Sequence, residues 1–483
     1  MRHLETEIAV IGAGPAGLAA AISAAERGSQ VVVLEKGATT GGTANMGMGL
    51  FAVESRIQKE KQIALTKEEA FRLFMDYTHW RTDAKLVKSY IDKSPETISW
   101  LEAMGVEFYD VAAYFPGAHF TWHIVKPEGG GRPGPGCAAT MTKLMTKRAQ
   151  ALGVTFFLQC PAKKLLGSEE GIEGVLAEDR AGEELYVKAK AVVIATGGFG
   201  DNPEWIKRFT GFQWGVDLFS FRIPGLNGDG IRMAWDVGAA RSEMNLELIY
   251  GTPGLDEFPT LREVFRQPFV LMLNLLGERF INEEILPNTT FTGNAVARQK
   301  ERCAFAVLDD HILERLKKGL EVFSMVFPVK DAASFEDEFK SAVSKGVKDL
   351  FMANNLQELA SLTGMDVKGL LRTFEAYNAF CERGVDKELG KSPKYLFPLK
   401  GPRFFAAKVY PSAYGTLGGI KINHRCEVLN EQWGSIPGLY AAGTDACSIY
   451  GDSYMFLLPG NTMGFAVNSG RIAGENASFY VKG

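Results

Sequence analysis

From Ile8 to Ala25 the chain is free of charge and mostly apolar, and it follows Glu5 and Glu7. A hydropathy scan alone would suggest a signal peptide or a membrane anchor. Gly12, Gly14, Pro15 and Gly17 interrupt the run, which breaks a spanning helix but suits a strand, a tight turn and a second element. The pattern predicts a strand over Glu7–Ile11, an Ala-rich helix from Leu18 to Arg27 ended by Gly28, and a second strand over Val31–Glu35. Further on, Val187–Ala195 reads as a strand running into Thr196-Gly197-Gly198, Gly438–Gly443 as a strand ending in glycine, and Pro459–Gly464 opens a final helix that runs through Ala473. Ala332–Asp349 and Val367–Arg383 carry helical periodicity. Gly251–Gly254 and Pro259 punctuate one junction, and Lys387–Pro402 reads as an exposed connection near another.

The chain has 483 residues, room for two to four domains at roughly 100–200 residues each. Hydrophobic content of 46% with 23% charged residues is that of a globular chain. The 53 basic and 57 acidic residues leave a net charge of −4, with no basic surplus for a phosphate backbone, so a nucleic-acid partner is not expected. Six cysteines form no CxxC pair and no CxxCH site, which speaks against a disulfide framework or a haem and for a reducing compartment. The chain is expected to be soluble and cytoplasmic, with no membrane span.

Chemistry enters at the first turn. Strand, Gly12-Ala13-Gly14-Pro15-Ala16-Gly17, helix and strand follow in the order of a dinucleotide fingerprint, and Glu35 closes the second strand. One glycine makes the tight turn, one lets backbone approach a pyrophosphate, and one permits close helix packing. The helix N-terminus presents N–H groups to phosphate, and the acid is placed for ribose hydroxyls. Gly41-Gly42-Thr43, Thr196-Gly197-Gly198, Gly443-Thr444-Asp445 and Asn461-Thr462-Met463 spread further backbone amides over the whole chain. A long, bent cofactor needs contacts spread in this way.

The ordered set GAGPAG, EKG, GGT, ATGGFG, NGDG (Asn227–Gly230), GERFINE (Gly277–Glu283), GTLGG (Gly415–Gly419), GLYAAGTDA and GRIAGENA (Gly470–Ala477) resembles the FAD-binding flavoproteins that include soluble fumarate reductases, succinate dehydrogenases and 3-ketosteroid dehydrogenases. The resemblance implies an α/β fold: a discontinuous Rossmann-like FAD domain over 1–247 and 415–483, with an inserted α+β capping domain over 248–414. It adds Lys36, Ala162, Asn202 and Asp229 to the expected cofactor contacts. The Ser-His-Thr that carries covalent flavin in membrane-bound relatives reads Gly41-Gly42-Thr43, so the FAD should be non-covalent. No metal is expected: His119 and His123 are four apart, but Pro116 and Gly117 precede them and no acid adjoins.

The resemblance also implies what is missing. Fumarate reductases hold a dicarboxylate with histidines and arginines. Their positions fall here on Tyr250, on the uncharged Pro287–Thr290, on Tyr414-Gly415 and on Leu457. Burying two carboxylates without cations costs several kcal/mol each, so fumarate should be a poor substrate. Tyr414, Tyr250 and the amides of Gly415 or Gly418 are the candidates to polarise a carbonyl and move a proton, and Tyr114, His119 and His123 are expected to line the pocket. The favoured substrate is a bulky, mostly apolar enone of steroid type. An aryl-acrylate or other monocarboxylate gripped by Arg81 or Arg132 is the alternative, and an electron-carrying flavoprotein subunit is a third reading. No second fingerprint serves NAD(P)H and no haem motif is present, so the motifs name no electron donor or acceptor.

Overall fold

A computed structural model describes residues 2–219, 223–324, 326, 329 and 331–483. The chain divides into two compact units: Met1–Gly211 with Arg222–Leu246 and Gly415–Gly483, and Phe212–Phe221 with Glu247–Tyr414.

The first unit is built on an eight-stranded sheet. Its main path runs Glu427–Leu429, Ser435–Ala441, Glu184–Ile194, Arg2–Ile11, Val31–Glu35, Thr155–Leu158. The four central pairings are parallel, with Ile11 opposite Leu34 on one side and Ile194 on the other. Parallel strands covered on both faces read as unbroken apolar runs, which is why Ile8–Ile11 and Val31–Leu34 show no alternation and are buried throughout. The first helix spans Pro15–Ala25, earlier than the pattern suggested because Pro15 sits in its first turn. It is buried from Ala16 to Ala24. The last helix, Asn461–Lys482, packs on it through glycine: a Cβ at Gly470 would come 2.2 Å from the carbonyl oxygen of Ala16, and one at Gly474 2.2 Å from that of Ala20. The apolar character of the first helix is thus helix–helix packing. No described helix is long and apolar enough to cross a membrane.

A second sheet, most of it in the second unit, has strand Phe404–Gly419 flanked by Asn245–Gly251 and Ala304–Asp309, with Leu271–Leu273 beyond and Leu350–Ala353 added. Phe265, Phe335, Phe339 and Phe405 pack in its core. Val367–Arg383 forms one helix, while of the earlier periodic stretch Ala332–Asp349 only Phe335–Ser344 is α-helical, after a short turn at Ala332–Ser334. Lys387–Pro402 departs from the exposed connection its composition suggests. Lys391 is 2% exposed and donates to the Val270 carbonyl (3.0 Å) and the Tyr377 hydroxyl (3.2 Å), with Glu283 at 3.5 Å. Arg279 completes this cluster, bound by both oxygens of Glu283 (2.9 and 2.7 Å) and by Asp386 (2.9 Å). The GERFINE segment is therefore a structural ion cluster.

Candidate cofactor and substrate site

Strand-end carbonyls and a bare helix start shape the cofactor cradle. Gly12 has φ +103° and a Cβ there would fall 2.3 Å from the Ala195 carbonyl oxygen; at Gly17 it would fall 1.9 Å from that of Gly12. Gly14 has no side-chain cap over the following amides, and a Cβ there meets nothing within 4 Å. The helix start is open for a ligand. Gly42 approaches from the other side, its would-be Cβ 3.2 Å from Gly14 Cα, and Gly41 N–H donates to the Ala13 carbonyl at 2.8 Å.

Glu35 is partly engaged in shaping this turn. Its carboxylate accepts the N–H of Ala13 (2.7 Å) on one oxygen and of Gly37 (2.6 Å) on the other, which leaves lone pairs for a ribose hydroxyl. Lys36 pairs with Asp229 at 2.8 Å and also donates to the Gly225 carbonyl. Ala162 opens a strand two residues after Cys160, whose N–H donates to the Glu35 carbonyl at 2.9 Å.

Asp445 is wholly buried and accepts the hydroxyl and amide of Thr196 and the N–H of Gly198 (2.8 Å). Burial pushes its carboxyl up and these donors oppose the shift. Asp445 thus ties together the loops around Gly197 and Thr444. Gly443 N–H donates to Ser469 Oγ (2.9 Å). A Cβ at Gly443 would lie 2.9 Å from that of Ala16, and one at Gly47, just past Thr43, 2.4 Å from Met463 Cε. One unit therefore brings five Gly-rich segments around one helix start, an arrangement that fits an adenine dinucleotide.

Two expected contacts have side chains engaged within the protein. Asn202 caps helix Pro203–Thr210, accepting from Trp205 N–H (3.0 Å) and donating to the Asn227 carbonyl (3.0 Å). Asn461 accepts from the Tyr90 hydroxyl (2.7 Å) and donates to the carbonyls of Met455 (3.0 Å) and Leu458. Both side chains serve the loops that carry them. Tyr454 is a residue the pattern missed: its hydroxyl accepts Thr462 N–H at 3.0 Å in the first turn of the last helix. Its only sequence signal is a tyrosine eight positions upstream of that turn.

The expected catalytic residues separate by burial. Tyr414 is 37% exposed and Gly415 beside it is half-buried. Gly418 is buried, and a Cβ there would fall 1.7 Å from the Glu243 carbonyl oxygen, so the position requires glycine. Tyr250 is 1% exposed, donates to the Leu286 carbonyl (3.2 Å) and lies under the Arg266 guanidinium (5.4 Å). Burial raises its phenol above the usual range, which disfavours the proton transfer expected of it.

His123 is likewise a core residue. Its Nε2 meets Ser55 Oγ at 2.7 Å and its Nδ1 the Thr121 carbonyl at 3.0 Å, and burial pulls its pKa down to about 4. Tyr114 is half-buried, in an aromatic cluster with Phe456 (4.3 Å) and Trp122 (5.7 Å). Arg81 is held bidentately by Asp452 (3.0 and 2.7 Å), and Arg132 is exposed on its Gly-rich loop. Among the described residues, no group of three His, Cys, Asp or Glu side chains is placed to hold a metal.

The family pattern of the FAD binding domain matches residues 7–462. The chain belongs to this FAD-binding-domain family. It is an FAD-dependent oxidoreductase acting on CH–CH groups. Within the family it is 32% identical to a vinyl phenol reductase of Lactiplantibacillus plantarum, over 99% of this chain and 97% of that one. It is 28% identical to a cytochrome-type fumarate reductase of Shewanella frigidimarina, over 99% of this chain and 78% of the relative. In three dimensions it matches the 3-ketosteroid Δ4-(5α)-dehydrogenase of Rhodococcus jostii RHA1 with a TM-score of 0.78 at 24% identity, over 98% of this chain and 97% of that one.

Proposed function

We propose that this FAD enzyme reduces a carbon–carbon double bond conjugated to a phenol or carbonyl on a small, neutral, aromatic substrate. The carrying observation is the likeness to a vinyl phenol reductase along nearly the whole of both chains. The uncharged residues at the dicarboxylate positions support it. The ion pair of Arg81 with Asp452 weakens the monocarboxylate alternative, and a likeness at 24% identity carries the fold alone, so the steroid-type enone becomes the second choice.

In this reading the first unit is the FAD domain and the second is the capping domain. FAD is held non-covalently by Gly12–Gly17, Glu35, Lys36, Gly41–Thr43, Ala162, Thr196–Gly197, Asp229, Gly443–Asp445 and the amides of Asn461–Met463; when bound, it supplies hydride chemistry. Tyr414 donates to the substrate's conjugated oxygen or handles its proton, with Gly415 N–H beside it. Six cysteines with no disulfide among the described residues support a cytoplasmic setting, and a separate donor supplies electrons.

The test is anaerobic. Photoreduced enzyme is mixed with 4-vinylphenol, a cinnamate, 4-androstene-3,17-dione or fumarate, and flavin reoxidation is followed. Fast reoxidation by 4-vinylphenol and slow reoxidation by fumarate are expected. Preferential turnover of fumarate would overturn the proposal, and a flavin that none of the four perturbs would favour an electron carrier.

A further inference from the structure

The last helix, Asn461–Lys482, starts without a cap of its own. Gly460 precedes it with φ +93° and no side chain, so the first-turn amides depend on acceptors from elsewhere. A short side chain at the preceding position ordinarily fills that role. Here a phenol from outside the helix does so: Thr462 N–H donates to the Tyr454 hydroxyl oxygen at 3.0 Å, and Thr462 Oγ1 donates to the same atom at 3.1 Å.

Bonds on both sides hold the phenol in place. Tyr454 is buried, and its carbonyl accepts the Tyr77 hydroxyl (2.7 Å) and Phe456 N–H (2.9 Å). Just upstream Arg81 grips Asp452 with two hydrogen bonds, and just downstream the Met455 carbonyl accepts Asn461 Nδ2 at 3.0 Å. The rings of Tyr450 and Phe456 lie against Tyr454 at 5.0 and 5.6 Å. Every one of these residues belongs to the first unit. The turn they brace is part of the cofactor cradle, since Met463 Cε reaches Gly47.

We propose that Tyr454 tunes the reduction potential of the bound FAD, keeping it below the value that a bare helix start would give. The inference rests on the reading above in which the amides of Asn461–Met463 hold FAD. Reduction adds electrons to the flavin, and N–H donors with the partial positive charge of a helix start favour the added charge. The Tyr454 oxygen draws on one of those donors and sets its own lone pairs beside it, which weakens the pull. A lower potential makes the reduced enzyme the stronger donor toward a double bond. Tyr454 acts through Thr462 and is a positioning residue, and Tyr77 and the Arg81–Asp452 pair hold it there.

The test uses the FAD-loaded full chain and needs no substrate. The midpoint potential of the bound flavin is measured by anaerobic reductive titration against a reference dye. Tyr454→Phe keeps the ring and removes the oxygen, so its potential should rise by at least about 30 mV, a tenfold change in the equilibrium constant of a two-electron couple. An unchanged or lowered potential overturns the inference. Should that protein not retain FAD, Tyr77→Phe decides instead: it removes one donor to the Tyr454 carbonyl and should raise the potential by at least about 9 mV, a twofold change, and no rise overturns the inference. Failure of the parent reading shows up separately in the wild-type holoenzyme, as amide resonances of Asn461, Thr462 and Met463 that do not shift when the bound flavin is reduced.

Discussion

Two buried polar regions lie on one stretch of the second unit and are finished in opposite ways. Around Arg279, four buried charged side chains satisfy one another: Arg279 and Lys391 face Glu283 and Asp386. Burial pushes the Asp386 carboxyl up, but Arg279 and the N–H groups of Lys391 and Glu388 bring it to about 2. At Asn288–Thr290 three uncharged groups are equally buried and unmatched. Burial alone does not mark function. A matched cluster offsets the cost of its own burial, and an unmatched one bears that cost.

Arg279→Met tests the matched side and should have the largest effect. It leaves two carboxylates buried with one lysine, and removing one partner of a buried pair costs about 3–5 kcal/mol. Urea unfolding should show a clear fall in midpoint, and an unchanged midpoint would break the comparison.

His123, the matched site of the first unit, should show itself through pH. Its folded pKa of about 4 lies below the ordinary 6.5. Between those values the unfolded chain takes a proton that the folded chain refuses. Stability is therefore full above pH 6.5 and falls toward pH 4, by about 3 kcal/mol in all. His123→Leu should flatten that slope in unfolding midpoints measured from pH 7 to 4.5.

Glu35 is an intermediate case, a carboxylate that accepts two backbone amides and retains lone pairs for a ligand. Glu35→Ala should weaken FAD retention by about 1.5–3 kcal/mol, read by flavin fluorescence after dilution. Full retention would make Glu35 a purely structural residue of the turn.

Tyr414→Phe sharpens the functional side. Folding and FAD content should survive, while flavin reoxidation by the true substrate slows at least about tenfold. A wild-type rate would move the proton-handling role away from Tyr414.

The smallest effect is expected at Thr290. Thr290→Val removes an unmatched hydroxyl in nearly the same volume, so the ligand-free protein should gain up to about 1 kcal/mol of stability. Thermal unfolding reads this directly, and a loss of stability would show that the hydroxyl is satisfied.

The first βαβ unit was legible because each requirement is local. Gly12 needs a positive φ, Gly17 must clear the carbonyl of Gly12, and Glu35 follows the apolar run Val31–Leu34 at the end of its strand. The ordered glycine segments carried the family for the same reason, since a backbone approach to a phosphate admits few residue types at a given position. Helix Val367–Arg383 was visible in its period. What the sequence by itself determined is therefore the cofactor fold and the family. Tertiary structure alone decided which polar residues are spent. Tyr250 and Tyr414 both read as candidate catalytic tyrosines, yet one is buried beneath Arg266 and the other is exposed. His123 reads as a pocket residue until Ser55 and Thr121 are found on its two nitrogens. Asn461 reads as a ligand contact until Tyr90 is found on its oxygen. A hydrogen-bond partner hundreds of residues away in sequence leaves no local trace, and solvent exposure belongs to the packed chain, so neither is written in the pattern of any one segment.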